Sequence, residues 1–263
     1  MAVIVGAWVL MTAALVVAQR HLIYLPDADL VLPPSDVAVT TVETVDGIVH
    51  DVWVMQADGV ALARVVVFNG NAGNKGHRLT LARNLAAEGM EVLLFDYRGY
   101  GNTGGIPSEE GLMRDAAAVA RIAFETDLPV VFIGESLGAG PATALAVQAE
   151  PDGLVLRSPF TSLRDMARTH YPFVPTVLLR DRYPVEETVS RLDIPVLVVL
   201  GTDDSIVPPE LSRRVYQAVG GPSRLVEMDG LDHNDPGLSA GEDHTHVIRS
   251  FVEDHAGPDG LPG

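Results

Sequence analysis

A serine near the middle of the chain stands in a pattern typical of an activated nucleophile. Ser136 lies in the pentapeptide GESLG (134–138), directly after a strand-like apolar run, VVFI (130–133). A serine on a sharp turn between a strand and a helix needs small neighbours, which Gly134 and Gly138 provide. The pattern predicts a nucleophile elbow, with capping of a helix by Ser136 as the alternative interpretation.

Two later loops carry the acid and the histidine that such a serine requires, in the chain order typical of an elbow. The apolar run 194–200 predicts a buried strand, and Asp204 lies on the turn that follows it. A short strand predicted over 224–228 precedes a loop that contains His233. The sequence therefore predicts a triad of Ser136, Asp204 and His233.

The three residue types have complementary roles in acyl transfer. A serine hydroxyl is a weak nucleophile near neutral pH, so His233 takes its proton as Ser136 attacks a carbonyl carbon. The same histidine then delivers that proton to the leaving group. Asp204 fixes the imidazole tautomer and stabilises the imidazolium.

The negative oxygen of a tetrahedral intermediate needs fixed hydrogen-bond donors. The backbone N–H of Leu137, next to the serine, is the first expected donor. The predicted strand 63–68 is followed by NGNAGN (69–74), a loop rich in residues that tolerate tight turns. We predict that the N–H of Asn71 in this loop is the second donor.

Several further motifs accompany these residues: NAGN (71–74), FDYRGYG (95–101), PSEEG (107–111), SPFTSL (158–163) and GTDD (201–204). With them the chain resembles the α/β-hydrolase superfamily, and within it the membrane-anchored serine hydrolases whose oxyanion loop reads HGNAGN. The resemblance covers most of residues 22–254. The chain departs from that pattern at Asn69, where the family has histidine.

The resemblance implies an α/β fold with a mostly parallel central sheet, helices on both faces and a small helical cap. It also implies a serine hydrolase that cleaves carboxylic esters or related acyl bonds through an acyl-enzyme intermediate at Ser136, most simply a carboxylesterase. A thioesterase or peptidase of the same fold is an alternative, because one fold supports many chemistries. The Asn69 substitution leaves open a non-catalytic binding protein, since a displaced oxyanion donor would make the triad idle.

Two of the triad residues have rivals in the sequence. Asp203 precedes Asp204, but the spacing from Asp204 to Pro208 matches the family turn, so Asp203 is interpreted as a solvated or capping residue. His244 and His246 lie in a stretch with helical character near the C-terminus. We expect both at the surface.

The composition suits one compact domain. The chain has 263 residues, of which 47% are hydrophobic, enough for a large core. Apolar strands alternate with helical patterns, which favours a mostly parallel sheet. Helices are predicted over 75–88, 109–126, 136–148, 210–219 and 241–255.

A long apolar insert separates the predicted strand 153–156 from the one that begins near 194. We interpret residues of about 160–190 as the cap. Tyr171, Phe173 and Leu178 are candidate lining residues of a substrate pocket, because an insert over the catalytic face usually shapes it. Ordinary packing of an additional helix is the alternative.

The segment GYGNTG (99–104) fits the glycine pattern of dinucleotide sites. Such a turn must open directly into a helix that holds the pyrophosphate, and Pro107 stands before the next predicted helix. We therefore expect no nucleotide here. Asp96 and Arg98 are expected to be structural, paired within their loop.

Charge and composition exclude several classes of binding partner and cofactor. The net charge is −17, and the 18 lysines and arginines form no basic run, which argues against nucleic acid. There is no cysteine, so no disulfide or thiolate site is expected. No cluster has metal-ligand spacing, so we expect neither a metal nor a cofactor, and the oligomeric state stays open.

The N-terminus is apolar and contains no charged residue from Ala2 to Ala18. A helix of that length spans about 26 Å, slightly less than the roughly 30 Å hydrocarbon core. We predict an anchor helix at 1–21 that attaches a domain at 22–263 to a membrane by a single pass. A cleaved signal peptide, a buried helix or a partner-binding helix are alternatives, and Arg20 alone decides little about which side the domain occupies.

Overall fold

The structure is a computed structural model that describes residues 1–255. The predicted domain at 22–263 therefore ends outside the described residues. The strands are, in chain order, β1 (Leu25–Pro26), β2 (Ala38–Glu43), β3 (Val49–Met55), β4 (Ala63–Phe68), β5 (Ala72–Gly73), β6 (Met90–Leu94), β7 (Val130–Glu135), β8 (Gly153–Arg157), β9 (Val196–Gly201) and β10 (Ser223–Met228).

The helices are α1 (Ala2–Ile23), α2 (Leu79–Ala87), α3 (Glu109–Ala123), α4 (Ala139–Ala149), α5 (Leu163–His170), α6 (Val185–Val189), α7 (Pro209–Ala218), α8 (Pro236–Ala240) and α9 (Glu242–His255). Tight 3₁₀ turns occupy Lys75–Arg78, Ser136–Gly138 and Thr176–Leu178. The helices predicted over 75–88 and 136–148 thus each begin as a 3₁₀ turn and continue as an α-helix.

An eight-stranded sheet forms the centre of the described chain, in the order β10-β9-β8-β7-β4-β6-β3-β2. From β10 to β6 the strands are parallel, while β3 is antiparallel to both β6 and β2. The prediction of a mostly parallel sheet is confirmed. The short strands β1 and β5 pair in parallel apart from this sheet.

Buried residues cover both faces of the sheet, because successive side chains of a strand point to opposite sides. In β4, Val66 and Phe68 join the core beneath α3, α4 and α7, whereas Val65 and Val67 join the core beneath α2 and α9. A strand buried on both faces reads as a continuous apolar run. This explains why β4, β7 and β9 are evident in the sequence.

The cap lies between β8 and β9 and consists of α5, the 3₁₀ turn at Thr176–Leu178 and α6. Ser162 caps the start of α5 by accepting a hydrogen bond from the N–H of Asp165 at 3.2 Å. The small helical cap is confirmed, while the residue bounds of the domain remain a prediction. Helix α1 packs along the cap: Nε1 of Trp8 donates to the carbonyl of Phe173 at 3.1 Å.

Candidate active site

Ser136 occupies the turn between β7 and α4 with the backbone of a nucleophile elbow. Its φ of 50° lies in the left-handed region, which a residue with a side chain rarely adopts. Gly138 is required here, because a Cβ at this position would lie 2.0 Å from the carbonyl oxygen of Phe68. The turn thus holds the serine at the carboxyl end of β7, beside the end of β4.

Asp204 and His233 lie at the ends of two neighbouring strands and form a hydrogen bond. Asp204 follows β9, His233 follows β10, and the distance from Oδ2 to Nδ1 is 2.7 Å. The other carboxylate oxygen accepts from the N–H groups of Ile206 (3.0 Å) and Val207 (2.7 Å). The neighbouring Asp203 is exposed. The acid and the histidine are therefore paired and oriented.

The electrostatics around Asp204 favour its ionised form. Burial acts to raise the pKa of this carboxyl, but the hydrogen bond and charge of His233 and the N–H of Val207 hold it below its ordinary value. The carboxylate is therefore charged at neutral pH. In that state it can stabilise an imidazolium at His233.

Ser136 and His233 form no hydrogen bond with each other among the described contacts. Bonds of this kind are often long in unliganded sites and tighten only when substrate is bound. Since Nδ1 of His233 is taken by Asp204, Nε2 is the nitrogen left to act as the base.

A buried cluster of charged side chains lies next to this site, and it was not predicted from the sequence. Glu135, the residue before the serine, pairs with Arg78 and lies 3.3 Å from Nε of Arg157. Nη1 of Arg157 also donates to the carbonyl of His233 at 3.0 Å. Burial acts to raise the pKa of Glu135, but the charges of Arg78 and Arg157 lower it overall. The charged guanidinium of Arg157 therefore connects Glu135, at the elbow, to the loop that carries His233.

The predicted oxyanion residues lie at the same end of the sheet. Asn71 and Leu137 share one cavity with Ser136. The carbonyl of Asn71 accepts from the N–H of Leu25 and the hydroxyl of Tyr100, both at 2.8 Å. Its own N–H has no backbone acceptor among residues 1–255. An oxyanion donor must be unpaired in this way, and the role of Asn71 as that donor stays a prediction.

Asn69 takes a structural position in this loop. Its Nδ2 donates to the carbonyl of Phe95 at 2.7 Å, so the side chain ties the loop to the residue after β6. The amide thus supplies a hydrogen bond at the position where the family has histidine, while its Oδ1 is buried without a partner in the described chain. Asn69 therefore anchors the loop to the chain that follows β6.

An apolar cavity of about 490 Å³ opens beside Ser136. Tyr171 and Leu178 line it, whereas Phe173 is 64% exposed and does not. Their role in binding substrate stays a prediction. Residues of α1 form another wall, which the sequence did not point to, since an apolar N-terminal run is read as an anchor. The lining residues are Leu15, Val16, Gln19, Leu22, Ile23, Asn71, Ser136, Leu137, Phe160, Leu163, Met166, Ala167, His170, Tyr171, Val174, Pro175, Thr176, Leu178, Leu179 and Ile206.

Other expectations need correction. His244 is fully buried in α9, whereas His246 is exposed as expected. Burial, followed by the charge of Arg157, lowers the pKa of His244 to about 4, so this histidine is neutral. Asp96 and Arg98 are structural but do not pair within their loop: Asp96 binds Lys75, and Arg98 binds carboxylates of other elements.

Residues 59–182 match the family described as "Serine aminopeptidase, S33". An uncharacterized protein of Mycobacterium tuberculosis (strain ATCC 25618 / H37Rv) is 44% identical over 90% of this chain and 88% of its own length. The α/β hydrolase domain-containing protein WAV2 of Arabidopsis thaliana is 30% identical over 93% of this chain and 90% of its own length.

A lysophosphatidylserine lipase, ABHD12, of Macaca fascicularis is 32% identical over 73% of this chain and 56% of its own length. Among solved structures, an esterase of Pyrococcus furiosus superposes with a TM-score of 0.71 at 18% identity, covering 89% of this chain and 100% of its own. At that identity the superposition shows the fold alone. The relatives that align over most of their own length carry the assignment: this chain belongs to the α/β-hydrolase superfamily.

Proposed function

We propose that this hydrolase is a serine esterase that cleaves a carboxylic ester with an apolar acyl group. One observation carries the proposal: Ser136, in left-handed backbone geometry, lies on the apolar cavity at the sheet edge where Asp204 and His233 pair at 2.7 Å. That arrangement supplies a nucleophile, a base and an acid in the order of a serine triad.

The first half of the reaction forms the acyl-enzyme. Oγ of Ser136 attacks the ester carbonyl carbon while its proton passes to Nε2 of His233. The N–H groups of Leu137 and Asn71 stabilise the oxyanion of the tetrahedral intermediate. The bond to the alcohol oxygen then breaks, and His233 gives its proton to the leaving alcohol.

The second half releases the acid. Water attacks the acyl carbon, and His233 takes a proton from that water. The new tetrahedral intermediate uses the same oxyanion donors and collapses to a carboxylic acid. The proton returns to Oγ of Ser136, so the enzyme ends as it began. Asp204 stays ionised throughout and stabilises each imidazolium.

The cavity favours a substrate with one long apolar chain. Its lining is mostly aliphatic and aromatic, and its volume of about 490 Å³ lies within the usual range of ligand pockets. The lysophosphatidylserine lipase of Macaca fascicularis, of whose length this chain covers 56%, is named for a lipid of that kind. A lipid ester with a single acyl chain is the substrate class that we propose.

The name of the matching family raises the question of an aminopeptidase. An aminopeptidase must bind a free α-ammonium group, which in a buried site requires a compensating negative charge. Among the described residues that line the cavity there is no aspartate or glutamate. The cavity therefore favours an uncharged acyl chain over a peptide N-terminus.

The N-terminal helix supports a membrane location. Helix α1 has 22 residues, and an 18-residue stretch of it has a mean hydropathy of 2.1, a length and apolarity found in membrane anchors and signal sequences. The contacts of α1 with the cap favour a retained segment over a cleaved one, because cleavage would remove a wall of the cavity. We propose that α1 attaches the enzyme to a membrane.

Hydrolysis of p-nitrophenyl esters from acetate to palmitate by the full chain in detergent tests the proposed chemistry. Ser136→Ala and His233→Ala should each abolish turnover, and a fluorophosphonate should label only enzymes that retain Ser136. Ser223→Ala and His246→Ala, at exposed positions far along the chain from the elbow, are matched controls that should keep full activity. A folded wild type that neither hydrolyses any ester nor takes up the fluorophosphonate would instead support a non-catalytic binding protein.

A further inference from the structure

Helix α1 is joined to the catalytic machinery more closely than an anchor requires. Residues 8, 12, 15, 16, 19 and 23 recur at helical spacing and form one face of α1. Trp8 at one end of this face bonds to the cap, and Thr12 and Gln19 on the same face are buried. The face therefore packs on the protein, while the rest of the apolar helix stays exposed.

The carboxyl end of α1 is also tied to the oxyanion loop. Nδ2 of Asn71 donates to the carbonyl of Ile23 at 3.1 Å. The next strand, β1, continues this link, because the N–H of Leu25 donates to the carbonyl of Asn71. Arg20 binds both carboxylate oxygens of the buried Asp181 at 3.0 and 3.1 Å. These bonds fix the position of the helix relative to Ser136.

We propose that α1 is a wall of the acyl pocket and that Val16 determines the length of the acyl chain. The inference rests on the proposed esterase function. Val16 is half-buried and lines the cavity that contains Ser136. A larger side chain at this position shortens the space for the acyl chain without touching the triad.

Adjacent valines in α1 provide a matched test. Val17 is 80% exposed and does not line the cavity. With the full chain in detergent micelles, Val16→Trp should lower kcat/KM for palmitate esters by about tenfold or more while leaving acetate esters unchanged. Val17→Trp should leave both unchanged, because its side chain lies on the exposed face.

The outcomes separate this inference from the proposed function. Equal chain-length profiles for Val16→Trp and the wild type would refute the proposal that Val16 limits the acyl chain, while the proposed esterase function would stand. Loss of acetate turnover in Val16→Trp would show that the substitution disturbs the fold. Val16→Ala then tests the inference in its place, because the smaller side chain should extend the preferred acyl-chain length. A wild type without Ser136-dependent turnover would defeat the esterase itself.

A second observation concerns the outer surface of the cap. The rim of the cavity is apolar: Leu22, Tyr171, Leu178 and Ile206 line it and are each more than 40% exposed. Val177 beside them is 76% exposed. This surface continues into α1, which has no charged residue from Ala2 to Gln19. Such a contiguous apolar surface marks an interaction site.

The segment between β8 and β9, which forms the cap, carries exposed arginines although the whole chain has a net charge of −17. The exposed side chains of Arg164, Arg180 and Arg182 form no ion pair within the described part of the chain. The N–H of Arg180 donates to Oε1 of Gln19 at 2.8 Å, so Arg180 lies beside the end of α1 nearest the domain, where Arg20 binds Asp181. Apolar residues accompanied by unpaired arginines fit the acyl and headgroup layers of an anionic bilayer.

We infer that the cap, together with α1, rests in the interfacial layer of an anionic lipid leaflet, so that the rim of the acyl pocket opens to lipid. This inference does not depend on catalysis. Irregular backbone cannot lie exposed in the hydrocarbon core, so the cap loop enters only the interface. A single-chain lipid could then reach Ser136 without passing through water.

The absence of cysteine makes site-specific labelling straightforward. A nitrobenzoxadiazole probe at Val177→Cys, in the full-length Ser136→Ala protein, reports on the cap. Val60→Cys, 88% exposed in the loop before β4, is the matched position at the opposite edge of the sheet. The vesicles contain phosphatidylcholine with or without phosphatidylglycerol, and spin-labelled lipid and aqueous iodide serve as quenchers.

In anionic vesicles the probe at 177 should be quenched by spin-labelled lipid and shielded from iodide, whereas the probe at 60 should show the reverse. Replacing Arg164, Arg180 and Arg182 by glutamine should weaken the membrane contact of probe 177 by about fivefold per arginine. Equal iodide quenching at both positions would overturn the inference. Shielding of probe 177 without vesicles, increasing with protein concentration, would overturn it in favour of a second copy of the chain.

Discussion

At the scale of single residues, Asp204 is the group whose charge matters most to the site. It is 5% exposed and binds His233 and two backbone N–H groups. These partners hold the pKa of Asp204 below the ordinary 3.8. The ionised carboxylate therefore has more favourable interactions in the folded chain than in the unfolded chain. Asp204 therefore stabilises the fold at every pH above its ordinary value.

Asp204→Asn should lower kcat by about 10⁴-fold with little change in KM, because the amide cannot hold the required imidazole tautomer. The substitution should also lower the free energy of unfolding at pH 7. That loss should shrink as the pH falls from 3.8 through the lower pKa of folded Asp204, since the carboxylate is protonated first in the unfolded chain and then in the folded one. Steady-state kinetics and urea unfolding at several pH values measure the two effects. Asp203→Asn, at the exposed neighbouring position, is the control and should change neither.

Arg157 makes a second prediction at this scale. Its guanidinium is buried, binds Glu135 and donates to the carbonyl of His233. Arg157→Met should destabilise the fold by about 3 kcal/mol, because the charge of Glu135 then depends on Arg78 alone. It should also reduce kcat more than it raises KM, since His233 loses its support. Arg213→Met, which breaks an exposed pair with Glu227, should leave the free energy of unfolding and the kinetics close to those of the wild type.

At the scale of elements, the packing of the elbow against β4 makes Gly138 indispensable. A Cβ at this position would lie 2.0 Å from the backbone oxygen of Phe68, the last residue of β4, and 2.6 Å from that of Asn69, which follows it. Gly138→Ala should therefore destabilise the protein by several kcal/mol. A Cβ at Gly104 would meet nothing within 4 Å. Gly104→Ala should stay within about 0.5 kcal/mol of the wild type in urea unfolding.

The sequence is most informative where one element decides its own structure. The strands β4, β7 and β9 are buried on both faces and therefore appear as apolar runs. The loops after them carry Asn71, Ser136 and Asp204, and parallel strands bring such loops to one edge. Fold and candidate triad could thus be predicted from local patterns and their order.

Features that depend on distant contacts could not be predicted. The burial of His244 follows from how α9 packs on the sheet near Arg157, whereas its sequence surroundings are polar. The hairpin of β2 and β3 has mostly exposed residues in β2, so its pattern is weak. The residues of α1 that line the cavity read as any apolar helix, because their role depends on the cap that packs against them.

At the scale of the whole molecule, the N-terminal segment divides into two parts with different functions. Residues 1–18 supply apolar surface and the pocket residues Leu15 and Val16. Residues 19–24 supply polar bonds to the body of the protein: Arg20 and Tyr24 both bind Asp181, which is 3% exposed. Removing the first part exposes a cavity, whereas removing both leaves a buried carboxylate without its cation.

Two truncations separate these contributions. Deletion of 1–18 should leave a folded protein that still hydrolyses acetate esters but has lost its preference for long chains, because Leu15 and Val16 no longer line the cavity. Deletion of 1–24 should cost a further 3 to 5 kcal/mol or so, since the buried Asp181 loses Arg20 and the hydroxyl of Tyr24. Thermal unfolding and ester kinetics of both proteins in detergent measure these effects.

Asp181→Asn should restore much of the lost stability in the longer deletion, because a neutral amide is less costly to bury unpaired. Equal stability of the two truncated proteins would show that the polar contacts of α1 contribute nothing, and that the helix is held on the cap by its apolar surface alone.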